Sequence, residues 1–223
     1  MRQGTEPDRL TVAAGQSVEF ELVRPAGPDW SAANVGQFIV RGAGKQQHLA
    51  SKIASGRSTM AHTFAESGTY LIALSVGPPE GKGRSDAWQQ VTSCAKLVVR
   101  VFDESQPPIE RLSPKADPGI TAKVGQRFEI VPLISPASIK SGYDLPVRAF
   151  FDFEKFIDSP VTAVRPDGSV ETRTTDSQGS THFHIDQPGR WMIRLEKELE
   201  GMLRMAELVF DVSPAEPEQG ERP

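Results

Sequence analysis

Alternation of polar and apolar residues, cut short every few positions by proline or glycine, is what most limits the folds open to this chain. Ser17-Val18-Glu19-Phe20-Glu21-Leu22 alternates cleanly, the period-two pattern of a strand with one buried face. Residues 69–76 read as a longer, central strand that halts at Gly77-Pro78-Pro79, because proline has no amide hydrogen to continue a ladder. Further strands are expected at 37–40, 58–64 and 95–102, then at 126–131, 145–151, 161–165, 170–174, 181–185, 191–196 and 205–212. With 19 Gly and 18 Pro, the chain is too rich in turn residues for a helical protein. One short helix is expected over 86–93, where Asp86 can cap and Trp88 and Val91 fall three apart.

The pattern breaks once. Residues 104–119 hold four prolines and little apolar periodicity, which suits a linker. It divides an N-terminal sandwich over 1–103 from a C-terminal, immunoglobulin-like or transthyretin-like sandwich over 120–213. A Pro- and Glu-rich tail, 214–223, reads as disordered. The halves echo each other. Ala13-Ala14-Gly15-Gln16-Ser17-Val18-Glu19-Phe20 parallels Lys123-Val124-Gly125-Gln126-Arg127-Phe128-Glu129-Ile130, and Gly68-Thr69-Tyr70 parallels Gly189-Arg190-Trp191. In each late turn the glycine permits a positive φ, and the aromatic two residues on plugs the core. The expected fold class is therefore all-β: two tandem immunoglobulin-like antiparallel β-sandwiches. That architecture serves many unrelated functions and specifies none.

Composition excludes more than it assigns. Lys and Arg number 25 against 29 Asp and Glu, a net charge of −4, with no basic run; a nucleic-acid partner is not expected. The single cysteine, Cys94, rules out an internal disulfide and any multi-cysteine metal centre, and its apolar neighbours suit a buried small hydrophobe. No apolar run reaches the roughly 18 residues that span a bilayer. The opening residues, MRQGTEPDRL, hold no apolar stretch of the kind a signal peptide needs, so the expectation is either a cytosolic protein or one whose leader has been removed. No G-x-S-x-G elbow or G-x-x-x-x-G-K-[ST] loop occurs, so the expected role is non-catalytic.

Candidate ligand residues are few. His182 and His184 lie two apart on an expected strand, opposite Phe183 and Ile185, so both imidazoles share one face. Such a pair can take Ni²⁺, Cu²⁺ or Zn²⁺, with Asp176 or Asp186 supplying an oxygen; two solvated histidines on an outer face fit the same pattern. His62 reads as a surface residue and His48 has no evident partner. Trp30, between Asp29 and Ser31, is the best aromatic for a ligand or partner surface, or packs under its own loop, while Trp191 belongs to the core.

Residues 128–136 (FEIVPLISP), the run Thr174-Thr175-Asp176-Ser177-Gln178-Gly179 with Phe183 and Pro188-Gly189-Arg190-Trp191, and the Ala95-Lys96 element before a strand carry a resemblance. They resemble an uncharacterised bacterial family of two β-sandwiches described as a periplasmic component of nickel or cobalt transport. The turn motif is also similar to carboxypeptidase-regulatory-like and transthyretin-like sandwiches. The resemblance implies an extracytoplasmic accessory protein, a divalent transition metal as ligand, and a membrane transporter or other cell-envelope protein as partner. Members suspected of binding metal begin with a His near an aromatic; the equivalent start here is Leu10-Thr11-Val12. The alternative is a structural or protein- or glycan-interaction module that binds no metal.

Overall fold

A computed structural model of the chain describes residues 11–22, 35–42, 45–49, 52–54, 57–76, 91–103, 117–199 and 202–214. The expected linker, apart from 117–119, the tail beyond Pro214, Trp30 and positions 86–90 of the expected helix lie outside the described residues. The fold is all-β, as the alternation requires. The strands are β1 (Thr11–Ala13), β2 (Ser17–Leu22), β3 (Val35–Gly42), β4 (Lys45–His48), β5 (Lys52–Ala54), β6 (Arg57–Thr63), β7 (Gly68–Val76) and β8 (Val91–Phe102) in the first half. In the second they are β9 (Phe128–Pro132), β10 (Tyr143–Phe151), β11 (Glu154–Lys155), β12 (Pro160–Val164), β13 (Val170–Thr174), β14 (Ser180–Ile185), β15 (Gly189–Leu199) and β16 (Met202–Val212). One helical turn, α1 (Pro118–Thr121), is capped by Asp117, whose side chain accepts from the Gly119 amide.

Two differences from the expected elements have a common cause. Residues 91–93 begin β8 rather than ending a helix, and the seam between the halves is parallel. Val91 to Leu97 of β8 pair in parallel register with Leu203 to Val209 of β16, which commits residues 91–93 to the sheet. The strand order of the largest sheet is β13-β12-β15-β16-β8-β7-β3-β4, with β1 also on β8. Read outward from the β8–β16 seam, the order is the same on both sides: a long antiparallel neighbour, then a hairpin.

The duplication reaches into β8 and β16 themselves. Gly68 of β7 lies opposite Val101, and Gly189 of β15 opposite Val212. This register matches Ala95-Lys96-Leu97-Val98 with Ala206-Glu207-Leu208-Val209. In the seam Cys94, not Ala95, faces Ala206. Equivalent residues are thus offset by one and point to opposite faces. The two smaller sheets accordingly cover opposite faces. β2-β6-β5 packs with Phe38, Val40, Tyr70, Ile72, Val99 and Val101, while β9, β10 and β14 close over Ile39, Leu71, Ala73, Val98 and the inward residues of β15 and β16. Strands β3, β7 and β8 are therefore apolar on both faces, which is why 69–76 reads as a central strand.

The corner aromatics confirm the repeat. Gly68 and Gly189 take φ of 147° and 121°. Tyr70 and Trp191 then turn inward, each returning a hydrogen bond to the backbone four residues upstream: Tyr70 Oη to Glu66 O at 2.9 Å, Trp191 Nε1 to Gln187 O at 3.0 Å. Tyr70→Phe removes one such bond and should lower unfolding free energy by about 1 kcal/mol in a urea titration.

A buried ion pair ties the halves together. Lys96 of β8 donates to Glu129 Oε1 of β9 at 2.6 Å and to Ile130 O at 2.9 Å, with side-chain exposures of 1% and 0% for the two charged residues. Glu129 also accepts from the Val124 and Gly125 amides. Burial pulls the Lys96 ammonium below its usual range, against the opposing pull of Glu129. Gln126 adds an amide donor to Leu74 O at 2.7 Å, and Arg41 donates to Lys123 O at 3.1 Å. Removing one charge leaves the other buried and alone, so Lys96→Met should cost about 3–5 kcal/mol in chemical denaturation, whereas Lys96→Met/Glu129→Leu should recover much of the loss.

Candidate functional site

Asp176 and the two histidines lie on the turn after β13 and on β14. Thr175 is buried, its hydroxyl donating to Phe156 O at 2.7 Å and accepting from the Ser159 amide at 3.0 Å. Asp176 Oδ1 accepts from the amides of Gln178 (2.7 Å) and Ser180 (2.9 Å). Gly179 closes the turn at φ 70°, where a Cβ would lie 3.1 Å from Ala149 O and 3.2 Å from Phe156 N. The T-D-x-x-G motif is thus a folding device: an anchor, a carboxylate cap and a left-handed residue backed against β10. From it β14 runs antiparallel to β10, with Asp144 opposite His184, Pro146 opposite His182 and Arg148 opposite Ser180.

Both histidines are exposed on the outer face of β14, as alternation predicts, and Phe183 and Ile185 are fully buried behind them. Their partners differ. His184 Nδ1 lies 2.9 Å from Asp144 Oδ1. His182 Nε2 lies 3.0 Å from Arg173 Nη1 on β13. A guanidinium only donates, so Nε2 is the acceptor and the ring proton of the neutral imidazole sits on Nδ1. Arg173 Nε is held by Glu171 Oε1 at 2.6 Å, and Glu171 Oε2 holds Arg165 at 2.7 Å. Arg165 in turn lies 3.4 Å from Asp186 and 5.7 Å over the Trp191 ring. Asp186 is thereby engaged away from the histidines. Sequence reasoning passed over Arg173 and Glu171; their signal is the charged alternation of Val170-Glu171-Thr172-Arg173-Thr174 on a strand with one free edge.

Arg173, Thr174, Asp176, Ser180, Thr181 and His182, with Pro146, line an open depression of about 470 Å³. The structure therefore brings Asp176 and His182 to one concavity and leaves His184 outside it, on Asp144. Among the described residues, no group of three His, Cys, Asp or Glu side chains is placed to hold a metal ion. Cys94 is buried, and burial pushes its thiol up, away from the reactive thiolate. Among the described residues, no helix is long and apolar enough to cross a membrane.

The turn amides of Ser180 and Gln178 hold the Asp176 carboxyl below its ordinary value of 3.8. A depressed carboxyl stabilises the fold in full above that value and loses its contribution as pH falls through the lower, folded one. Carbon-detected NMR titration should find Asp176 among the last carboxylates to protonate. Asp176→Asn should abolish that titration and lower the melting temperature at pH 7.

No curated protein matches the chain. Solved structures overlap it loosely. An ice-binding, Ca²⁺-stabilized adhesin of an Antarctic bacterium shares 9% identity at a TM-score of 0.31, over 92% of this chain and 46% of that one. Salmonella alpha-2-macroglobulin shares 10% at 0.28, over 93% and 14%, and the mouse nectin-like molecule 4 ectodomain 12% at 0.25, over 98% and 65%. The chain spans less than two thirds of each. The sequence profile of one family matches residues 4–198, most of the chain and both halves, and the protein accordingly belongs to the family described as Domain of unknown function (DUF4198).

Proposed function

We propose that this protein is a non-catalytic module of the cell envelope that works by binding, with the edge formed by β13 and β14 as its recognition face. The observation that carries this reading is the run of bonded side chains Arg165, Glu171, Arg173 and His182, which ends at an open depression rather than at an activated nucleophile. Chemistry needs a nucleophile and base in contact, or a metal with an open position. The geometry on this face offers fixed donors instead, which is what recognition needs. The extracytoplasmic setting, and a transporter or other envelope protein as partner, rest on the resemblance at residues 126–136 and 174–193.

Between a metal-linked role in nickel or cobalt uptake and a metal-free interaction role, Arg173 favours the second. A divalent cation at His182 Nε2 has to displace a guanidinium from the lone pair it needs and then sit beside that positive charge. Titration calorimetry of chelator-stripped protein with Ni²⁺, Co²⁺, Cu²⁺ and Zn²⁺ should show no stoichiometric micromolar binding. Stoichiometric binding that disappears in the His182→Ala/His184→Ala double variant overturns this and restores the uptake role. Steady turnover of a generic ester or glycoside substrate would overturn the non-catalytic reading itself.

A further inference from the structure

The depression is rich in donors and poor in free acceptors. Two of the five N–H groups of Arg173 are spent on Glu171 and His182. The rest have no partner among the described residues, although the side chain is 36% exposed. The acceptor duty of His182 leaves its other ring nitrogen as an N–H donor. Thr174, Ser180, Thr181 and Pro146 complete the lining. Among the described residues the one carboxylate on the rim is Asp176, with one oxygen committed to two turn amides. Behind the rim, Arg148 Nε is bonded to the Ser180 hydroxyl at 3.0 Å, adding a second guanidinium.

From this arrangement we infer that the β13–β14 depression binds a carboxylate-bearing sugar, a uronic acid in class. The carboxylate accepts from the unspent fork of Arg173, and the ring hydroxyls exchange hydrogen bonds with Thr174, Ser180 and Thr181. A planar guanidinium matches a carboxylate in a way that a point charge does not. Glu171 is the positioning residue: gripped by Arg165 on one oxygen and Arg173 on the other, it fixes where the fork points. The inference deepens the binding-module reading and rests on it. It also reverses the sign of the ligand expected from the two histidines, because the cation is already present as Arg173.

The test uses isotopically labelled full chain and 4-nitrophenyl β-glucuronide as the probe, with 4-nitrophenyl β-glucoside as its neutral counterpart. The glucuronide should shift the amide signals of Thr174, Ser180 and Thr181 saturably, and the glucoside should not. Arg173→Gln should weaken binding by about tenfold or more, with Arg173→Lys between the two; well-dispersed spectra of both variants establish that they fold. Equal response to both probes, no response to either, or undiminished binding by Arg173→Gln overturns the inference and leaves the module reading standing. Release of nitrophenolate from the glucuronide has the opposite meaning: it overturns the non-catalytic reading while leaving the carboxylate assignment to the binding data.

Discussion

The Lys96–Glu129 contact is the point on which the arrangement of the halves turns. Two charges are taken out of water between β8 of one half and β9 of the other, and each is the other's only charged partner among the hydrogen bonds that hold them: the rest come from the Ile130 carbonyl and the Val124 and Gly125 amides. Such a pair adds little net stability compared with an apolar pair of the same volume. Its effect is on which arrangements are permitted. If β9 slipped by one residue in its ladder with β10, Glu129 would turn to the other face and an ammonium would be stranded in hydrocarbon. The pair therefore fixes the register of the second half against the first, and Gln126 and Arg41 reinforce that register with bonds to Leu74 and Lys123.

Much of the fold was legible because alternation reports faces directly. The buried and exposed sides of β14 follow from its residues one by one, and the glycine-aromatic corners at Tyr70 and Trp191 could be identified from their repeat; β13 reverses the rule, with Val170 exposed and Glu171 and Arg173 half-buried. The parallel seam was not legible. Alternation says which way a side chain points but not which strand lies alongside, and the β8 run Ala95-Lys96-Leu97-Val98 reads simply as a buried strand. The match of that run to Ala206-Glu207-Leu208-Val209 could have been found in the sequence. Its meaning, two ladders joined back to back with faces inverted, appears only with the pairing. Short strands such as β1, β5 and β11 carry too few residues to show any period.

The inversion accounts for why equivalent positions in the two halves carry different residues on one plan. Leu71 and Ala73 of β7 correspond to Met192 and Arg194 of β15. The first pair is buried because the second half closes over it. The second pair lies on a face that carries ion pairs instead, with Arg194 bonded to Glu207. Lys96 and Glu207 are the same position in the two copies, one facing a dry core and one a charged sheet surface. The repeated plan gives both halves the same strands, and the asymmetry of docking sets which of two equivalent residues stays polar.

The candidate site shows the same limit of sequence reasoning in miniature. Placing His182 and His184 on one face of β14 was correct, yet a shared face does not make a shared site. Each imidazole is claimed by the neighbour that the sheet pairing puts beside it: Asp144 across the β10 ladder for one, Arg173 across the open edge for the other. These partners lie 40 and 9 residues away in sequence, on strands whose adjacency no local pattern records. One histidine faces a carboxylate and the other a guanidinium. The pair that looks symmetrical in the sequence is thus chemically divided in the fold, and the half of it that lines the depression is the half already occupied by a cation.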